Sequence, residues 1–223
     1  MEITVNHIRI NYEKHGSGAP LLLLHGNGED LHLFDDLTPL LAKTHTVYAL
    51  DSRDHGQSER GVALTYELMA EDVRAFLREL NLMKVTLIGF SDGAITAMLV
   101  ASASPRRIHK LVLAGGNLTP RGVRWAARTG VRLAYLKHRD PLLGLMLHGP
   151  HISQKQLRAI TAQTLVLTGA KDVITRKESI AIASGIPGSI LQIVPNAEHS
   201  DYVKDAGRFY PLIRAFVSPT PEA

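Results

Sequence analysis

The sequence predicts an α/β protein: a doubly wound, mostly parallel sheet with an N-terminal β-hairpin and a short helical lid inserted late in the chain. Three observations carry this. Six short aliphatic runs, at 20–24, 46–50, 84–88, 108–114, 164–168 and 190–194, are apolar without alternation, as strands buried on both faces of a parallel sheet are. Segments of helical hydrophobic period fall between most of them. The connection from Gly115 to Gln163 is several times longer than an ordinary link between strand and strand, so it must hold structure of its own.

Taken in order, 3–5 and 7–13 alternate with the two-residue period of half-buried strands, and Asn6 between them marks a hairpin turn. Helical period is found at 33–41, 65–80, 92–103, 175–183 and 206–217. The chain therefore divides into a core, 1–115 and 161–217, a helical lid, 116–160, and a tail, 218–223, expected to be disordered.

Composition narrows the possible functions. At 223 residues, the chain can bury roughly 70% of its unfolded surface in one domain. No apolar run approaches the roughly 20 residues a membrane span needs, so stable membrane insertion is not expected. Met1-Glu2-Ile3-Thr4-Val5-Asn6 has neither the basic nor the apolar region of a secretory signal, and the expected location is the cytoplasm. With no cysteine, disulfides, thiol nucleophiles and thiolate metal sites are excluded. His148 and His151 have no carboxylate at ligand spacing, and no glycine-rich phosphate loop is present, so neither a metal nor a cofactor is expected.

The formal charge of +4 is local. Residues 116–160 hold eight Arg and Lys against Asp140 alone, +7, which leaves −3 for the remainder. Nucleic-acid binding is not expected, since only Trp125 and Tyr135 lie nearby to stack on bases. Arg121, Arg124, Arg128 and Arg132 recur at intervals of three, four and four, which predicts one helical face, with Val123, Trp125, Ala127 and part of Tyr135 opposite them as the pocket cover. Oligomeric state is left open.

The chemistry starts at Gly89-Phe90-Ser91-Asp92-Gly93, between the run Lys84-Val85-Thr86-Leu87-Ile88 and the helical Ala94-Ile95-Thr96. A serine at such a junction is held in a tight turn with Oγ lifted clear of the sheet, and glycines two residues either side let strand and helix pass close together. Ser91 is thus a candidate nucleophile. It needs a base, itself oriented by a third group. Asp172 follows the run at 164–168 and His199 follows that at 190–194, both at strand carboxyl ends on the rim that carries Ser91.

On these residues the chain resembles the α/β-hydrolase superfamily, over essentially its whole length, with the family's order Ser, Asp, His. His25-Gly26-Asn27-Gly28 is similar to the family's oxyanion loop, which implies that the backbone N–H groups of Asn27 and Asp92 are the two donors and that His25 braces the loop. Asp51-Ser52-Arg53-Asp54-His55-Gly56-Gln57-Ser58 is similar to another family loop, with Asp54 in place of the usual glycine; Glu198 likewise replaces a glycine before His199. Asn117 stands where some relatives place the acid, leaving Asp172 with little competition.

Asp92 has two readings: an acid favoured by the helix macrodipole, or a contact to substrate. The second follows because Ser91-Asp92-Gly93-Ala94-Ile95-Thr96-Ala97 is similar to biphenyl-hydrolase-like enzymes, where the acid meets a substrate ammonium. Asp92, Trp125 and Gly28 are the candidate substrate contacts. The resemblance implies a cofactor-independent serine hydrolase acting on small-molecule esters, a carboxylesterase first. Lactonase, thioesterase, carbon–carbon hydrolase, perhydrolase and amino-acid-ester hydrolase remain open, as does a ligand receptor with slow residual hydrolysis.

Overall fold

The computed structural model describes residues 1–218; the expected tail lies outside them except for Ser218. Strands β1 (Glu2–Val5) and β2 (Ile8–His15) form the expected hairpin. Its two turn residues, Asn6 and His7, both have left-handed backbone, φ 49° and 65°, the geometry that matches the twist of the flanking strands. The six aliphatic runs become β3 (Ala19–Leu24), β4 (His45–Leu50), β5 (Val85–Phe90), β6 (Ile108–Ala114), β7 (Gln163–Gly169) and β8 (Ile190–Val194), with ends moved by no more than two residues. They lie in the order β1-β2-β4-β3-β5-β6-β7-β8, antiparallel at the hairpin edge and parallel from β4 onward.

Helices cover both faces. The four leucines of β3 show why the run does not alternate: Leu21 and Leu23 pack with Phe34, Leu41, Phe209 and Ile213, whereas Leu22 and Leu24 pack on the other side with Phe76, Met98 and Leu99. Each buried leucine contributes about 1.5–3 kcal/mol, which is why the central strands can dispense with a polar face. After β3 come α1 (Thr38–Leu41), then α2 (Tyr66–Glu79) before β5 and α3 (Asp92–Ala103) after it, the latter two packed together on one face. The connection from β6 to β7 holds α4 (Trp125–His138), α5 (Pro141–His148) and α6 (Gln154–Arg158), and α7 (Arg176–Gly185), α8 (Asp201–Lys204) and α9 (Ala206–Val217) complete the chain.

Two expectations are corrected. The helix expected over 33–41 is two pieces, a single 3-10 turn at Leu31–Phe34 and α1, because Pro39 has no N–H to continue the preceding turn and is favoured in the first turn of a new helix, where it sits. The four arginines do not share one helix. Pro120 opens a separate 3-10 turn (Pro120–Gly122) that holds Arg121, and Val123 is extended and bridges to Ile174, so α4 begins only at Trp125 and carries Arg128 and Arg132 alone. The short α8 leaves no readable period in the sequence.

Candidate active site

Ser91 stands between β5 and α3 with φ 52° and ψ −114°, a conformation that costs a residue with a side chain about 1–3 kcal/mol. Its surroundings hold it there. The Ser91 N–H donates to the Ala114 carbonyl at 2.8 Å, and its own carbonyl accepts from the N–H groups of Ala94 and Ile95. A Cβ on Gly93 would strike the carbonyl oxygen of Leu24, and one on Gly89 the carbonyl of Gly93. The two flanking glycines are therefore required by the close crossing of strand and helix.

The neighbouring loops bring the other two residues within reach. The Ser91 hydroxyl is 3.0 Å from His199 Nε2, and His199 Nδ1 is 2.7 Å from Asp172 Oδ1. Asp172, 1% exposed, accepts further bonds from the N–H groups of Ile174 at 2.8 Å and Gly169 at 3.3 Å. Burial alone would raise its pKa, but the hydrogen bond and charge of His199 together with those N–H groups outweigh it and hold the carboxyl below its ordinary value. Glu198 causes no distortion at this point: its side chain is exposed and its N–H donates to Asp201 Oδ1 at 3.0 Å. Arg124, whose spacing in the sequence does not signal a partner in this loop, donates from Nε to the Asp172 carbonyl at 2.7 Å.

Residues 19–130, half of the chain, match the family model described as the alpha/beta hydrolase fold. The chain belongs to the α/β-hydrolase family. The human serine hydrolase BPHL is 29% identical to it, over 97% of this chain and 85% of the relative. A 2-hydroxymuconate semialdehyde hydrolase of Pseudomonas is 24% identical over 100% and 95%. Among solved structures, an N-acyl homoserine lactone degrading enzyme, Est816, superposes with a TM-score of 0.82 at 22% identity, covering 97% of this chain and 100% of the other.

In this α/β hydrolase the loop after β3 is braced by His25. Its Nδ1–H donates to the Gly26 carbonyl at 2.8 Å, and Nε2 accepts the Ser52 N–H at 3.0 Å, which requires the neutral ring. Burial lowers its pKa from 6.5 to about 4, with nearby His55 adding to the effect. Between those values an unfolded chain binds a proton that the folded one refuses. Stability is therefore expected to fall by about 3 kcal/mol as pH drops from 6.5 towards 4, and His25→Gln to remove that part of the slope. Denaturant titrations across this range check it; parallel curves for parent and variant would exclude His25 as the source.

The N–H groups of Asn27 and Asp92 have no intramolecular acceptor among the described residues; for Asp92, the first residue of α3, that is ordinary at a helix start. Gly28 follows with φ 69°, and a Cβ there would meet open space. The Asp54 substitution retains the left-handed backbone of a glycine, φ 62°, and its carboxylate accepts the Gly61 N–H at 2.8 Å, a local bond that offsets the strain. Asn117 is buried and donates to the Thr119 carbonyl.

Asp92 is buried, and both its oxygens are engaged. Tyr66, the first residue of α2, donates from its hydroxyl to Oδ1 at 2.8 Å, and Asn27 Nδ2 donates to Oδ2 at 2.9 Å. The same amide reaches the Leu142 carbonyl of α5 at 3.1 Å, so one side chain joins the β3 loop, the start of α3 and the helical connection. Burial raises the Asp92 pKa against the opposing effect of these bonds. Tyr66→Phe is expected to cost about 2 kcal/mol, most at pH values where Asp92 is ionised, since a buried carboxylate then keeps one side-chain donor of two. Chemical denaturation of the variant at acid and neutral pH measures this, and an unchanged midpoint would show the bond to be idle.

A cavity of about 460 Å³ opens between the start of α2 and α4–α5, lined by Leu64, Tyr66, Tyr135, Leu145 and His148 among others. None of Ser91, Asp172 or His199 lines it, nor do Gly28 or Trp125; Tyr66, which bonds Asp92, does. Trp125, expected to cover a pocket, is instead 73% exposed, because α4 packs on α5 through another side, where Tyr135 lies against His148. Among the described residues no cluster of three or more His, Asp or Glu is arranged to hold a metal, and no helix is long and apolar enough to cross a membrane.

Proposed function

We propose that this α/β hydrolase is a serine hydrolase of small-molecule carboxylic esters, with Ser91 as nucleophile, His199 as base and Asp172 as its orienting acid. The observation that carries the proposal is the continuous chain of two hydrogen bonds, 3.0 and 2.7 Å, ending on a serine in a strained elbow. Nδ1 of His199 keeps its proton for Asp172, so Nε2 is free to take the Ser91 proton as Oγ attacks the ester carbonyl. The N–H groups of Asn27 and Asp92 stabilise the tetrahedral oxyanion, each by about 3 kcal/mol. His199 then gives its proton to the leaving alcohol, and water, activated the same way, frees the acid from the acyl-enzyme. Residues 116–160 act as the cover of the site.

The amino-acid-ester reading of Asp92 is supported by its place next to the nucleophile, and weakened by the engagement of both carboxylate oxygens with Tyr66 and Asn27. A panel of p-nitrophenyl esters of rising acyl length, run beside an α-aminoacyl ester, a lactone and a thioester, tests the proposal. Many turnovers on neutral acyl esters are expected. A single turnover per chain would favour a receptor, and a strong preference for the α-aminoacyl ester would make Asp92 a substrate contact.

A further inference from the structure

Helix α4 has no buried residue. Its outer side is apolar all the same: Trp125 is 73% exposed, Leu133 63% and Leu136 54%. These positions are eight and three residues apart, two turns and then one, and so form one outward stripe roughly 16 Å long at 1.5 Å per residue. Ala127, Val131, Ala134 and Tyr135, half-buried, take the inward side. Exposed large apolar residues elsewhere in the described chain, such as Met83 and Ile180, do not share a helix face with two others, and isolated ones are ordinary.

The stripe is set in positive charge. Arg132 and Lys137 are exposed on the same helix, Arg128 is half-buried, and Arg139 follows at its end. The segment's one acid, Asp140, is spent on capping α5, where it accepts the Leu142 N–H at 2.9 Å. A helix with apolar residues facing out and basic residues flanking them fits the boundary between lipid headgroups and acyl chains. A second copy of the chain would bring the same cations against themselves. A nucleic acid would match the charge but leave Leu133 and Leu136 with nothing to bury against.

We propose that α4 docks this protein on an anionic lipid surface, with Trp125, Leu133 and Leu136 entering the headgroup–acyl boundary and Arg132 and Lys137 meeting lipid phosphates. The docking is peripheral and does not depend on the chemistry proposed for Ser91.

Trp125 is the chain's one tryptophan, so its emission reports the contact directly. With vesicles of phosphatidylcholine containing about a third phosphatidylglycerol, the emission is expected to shift to shorter wavelength and the protein to sediment with the lipid. Binding to pure phosphatidylcholine should be at least about tenfold weaker, and about 1 M salt should reverse the anionic case. Leu133→Ser/Leu136→Ser, both exposed and outside the catalytic residues, should abolish the shift while leaving the thermal midpoint in place. Arg132→Gln/Lys137→Gln should reduce binding to the level seen with the neutral lipid. The proposal is overturned by an unshifted emission with anionic vesicles, by a leucine double variant that binds like the parent, or by a stable dimer in which Trp125 is already shielded from iodide.

Discussion

Ser91→Ala is expected to lower kcat by about a millionfold and to abolish covalent labelling by a fluorophosphonate. The size of the effect follows from the division of labour in a triad: without Oγ there is no acyl-enzyme, and His199 and Asp172 have nothing to activate. The change removes one oxygen and leaves the elbow as strained as before, since alanine carries the same Cβ at φ 52°. Gly89, Gly93 and the bond from the residue 91 N–H to Ala114 still hold the turn, so the variant should fold with a thermal midpoint close to the parent's. Ester turnover and labelling stoichiometry, measured on the same preparation, decide it. A variant that labels fully and turns over near the parental rate would place the nucleophile elsewhere.

The second large effect is expected of Asp172→Asn, about ten-thousandfold in kcat at neutral pH. Asparagine is the same size but keeps one oxygen: with its NH₂ in the place of Oδ1, facing His199, Gly169 can still donate to the oxygen while the Ile174 N–H loses its acceptor. What changes is the instruction to the ring. An NH₂ group turned towards His199 Nδ1 favours the tautomer with its proton on Nε2, and that nitrogen can no longer accept the Ser91 proton. The substitution also bears on stability. The Asp172 pKa is lowered in the folded state, so its contribution is present above the ordinary carboxylate pKa near 3.9 and fades as pH falls through the folded value. The stability gap between parent and Asp172→Asn should therefore narrow in acid. Kinetics with one neutral ester and denaturant titrations at pH about 7 and about 3 measure the two parts. Near-parental kcat in the variant would remove Asp172 from the mechanism, and a gap that widens in acid would contradict the sign of the pKa shift.

Much of this molecule is decided within short stretches of chain, and that part is legible in the sequence. A run such as Leu21-Leu22-Leu23-Leu24 is apolar at every position because it is packed on both faces, and nothing distant alters that requirement. Ser91 between two glycines, and Asp172 and His199 each just past a strand, are local patterns too; a parallel sheet places the ends of its strands on one rim, so position in the chain translates directly into position in the site. Even Asp54 and Glu198, where the expected glycines are missing, change little, since a bond to Gly61 in one case and exposure in the other absorb the difference.

Other features depend on partners far along the chain. The two readings of Asp92 cannot be weighed from its neighbours, because what engages its carboxylate is Asn27, 65 residues away, and Tyr66, 26 residues away. The spacing of Arg124 reads as one cation of a helical face, whereas the fold sets it on the Asp172 carbonyl, 48 residues on. Which side of α4 faces out, with its tryptophan and leucines, follows from its packing on α5, where Tyr135 lies against His148, and not from the period of the helix itself. Hydrophobic period and turn chemistry are properties of consecutive residues, so sequence alone determined the strands, the elbow and the three candidate catalytic residues. Hydrogen-bond partnership and the outward or inward sense of a helix arise only when separate segments close on one another, and those the tertiary structure decided.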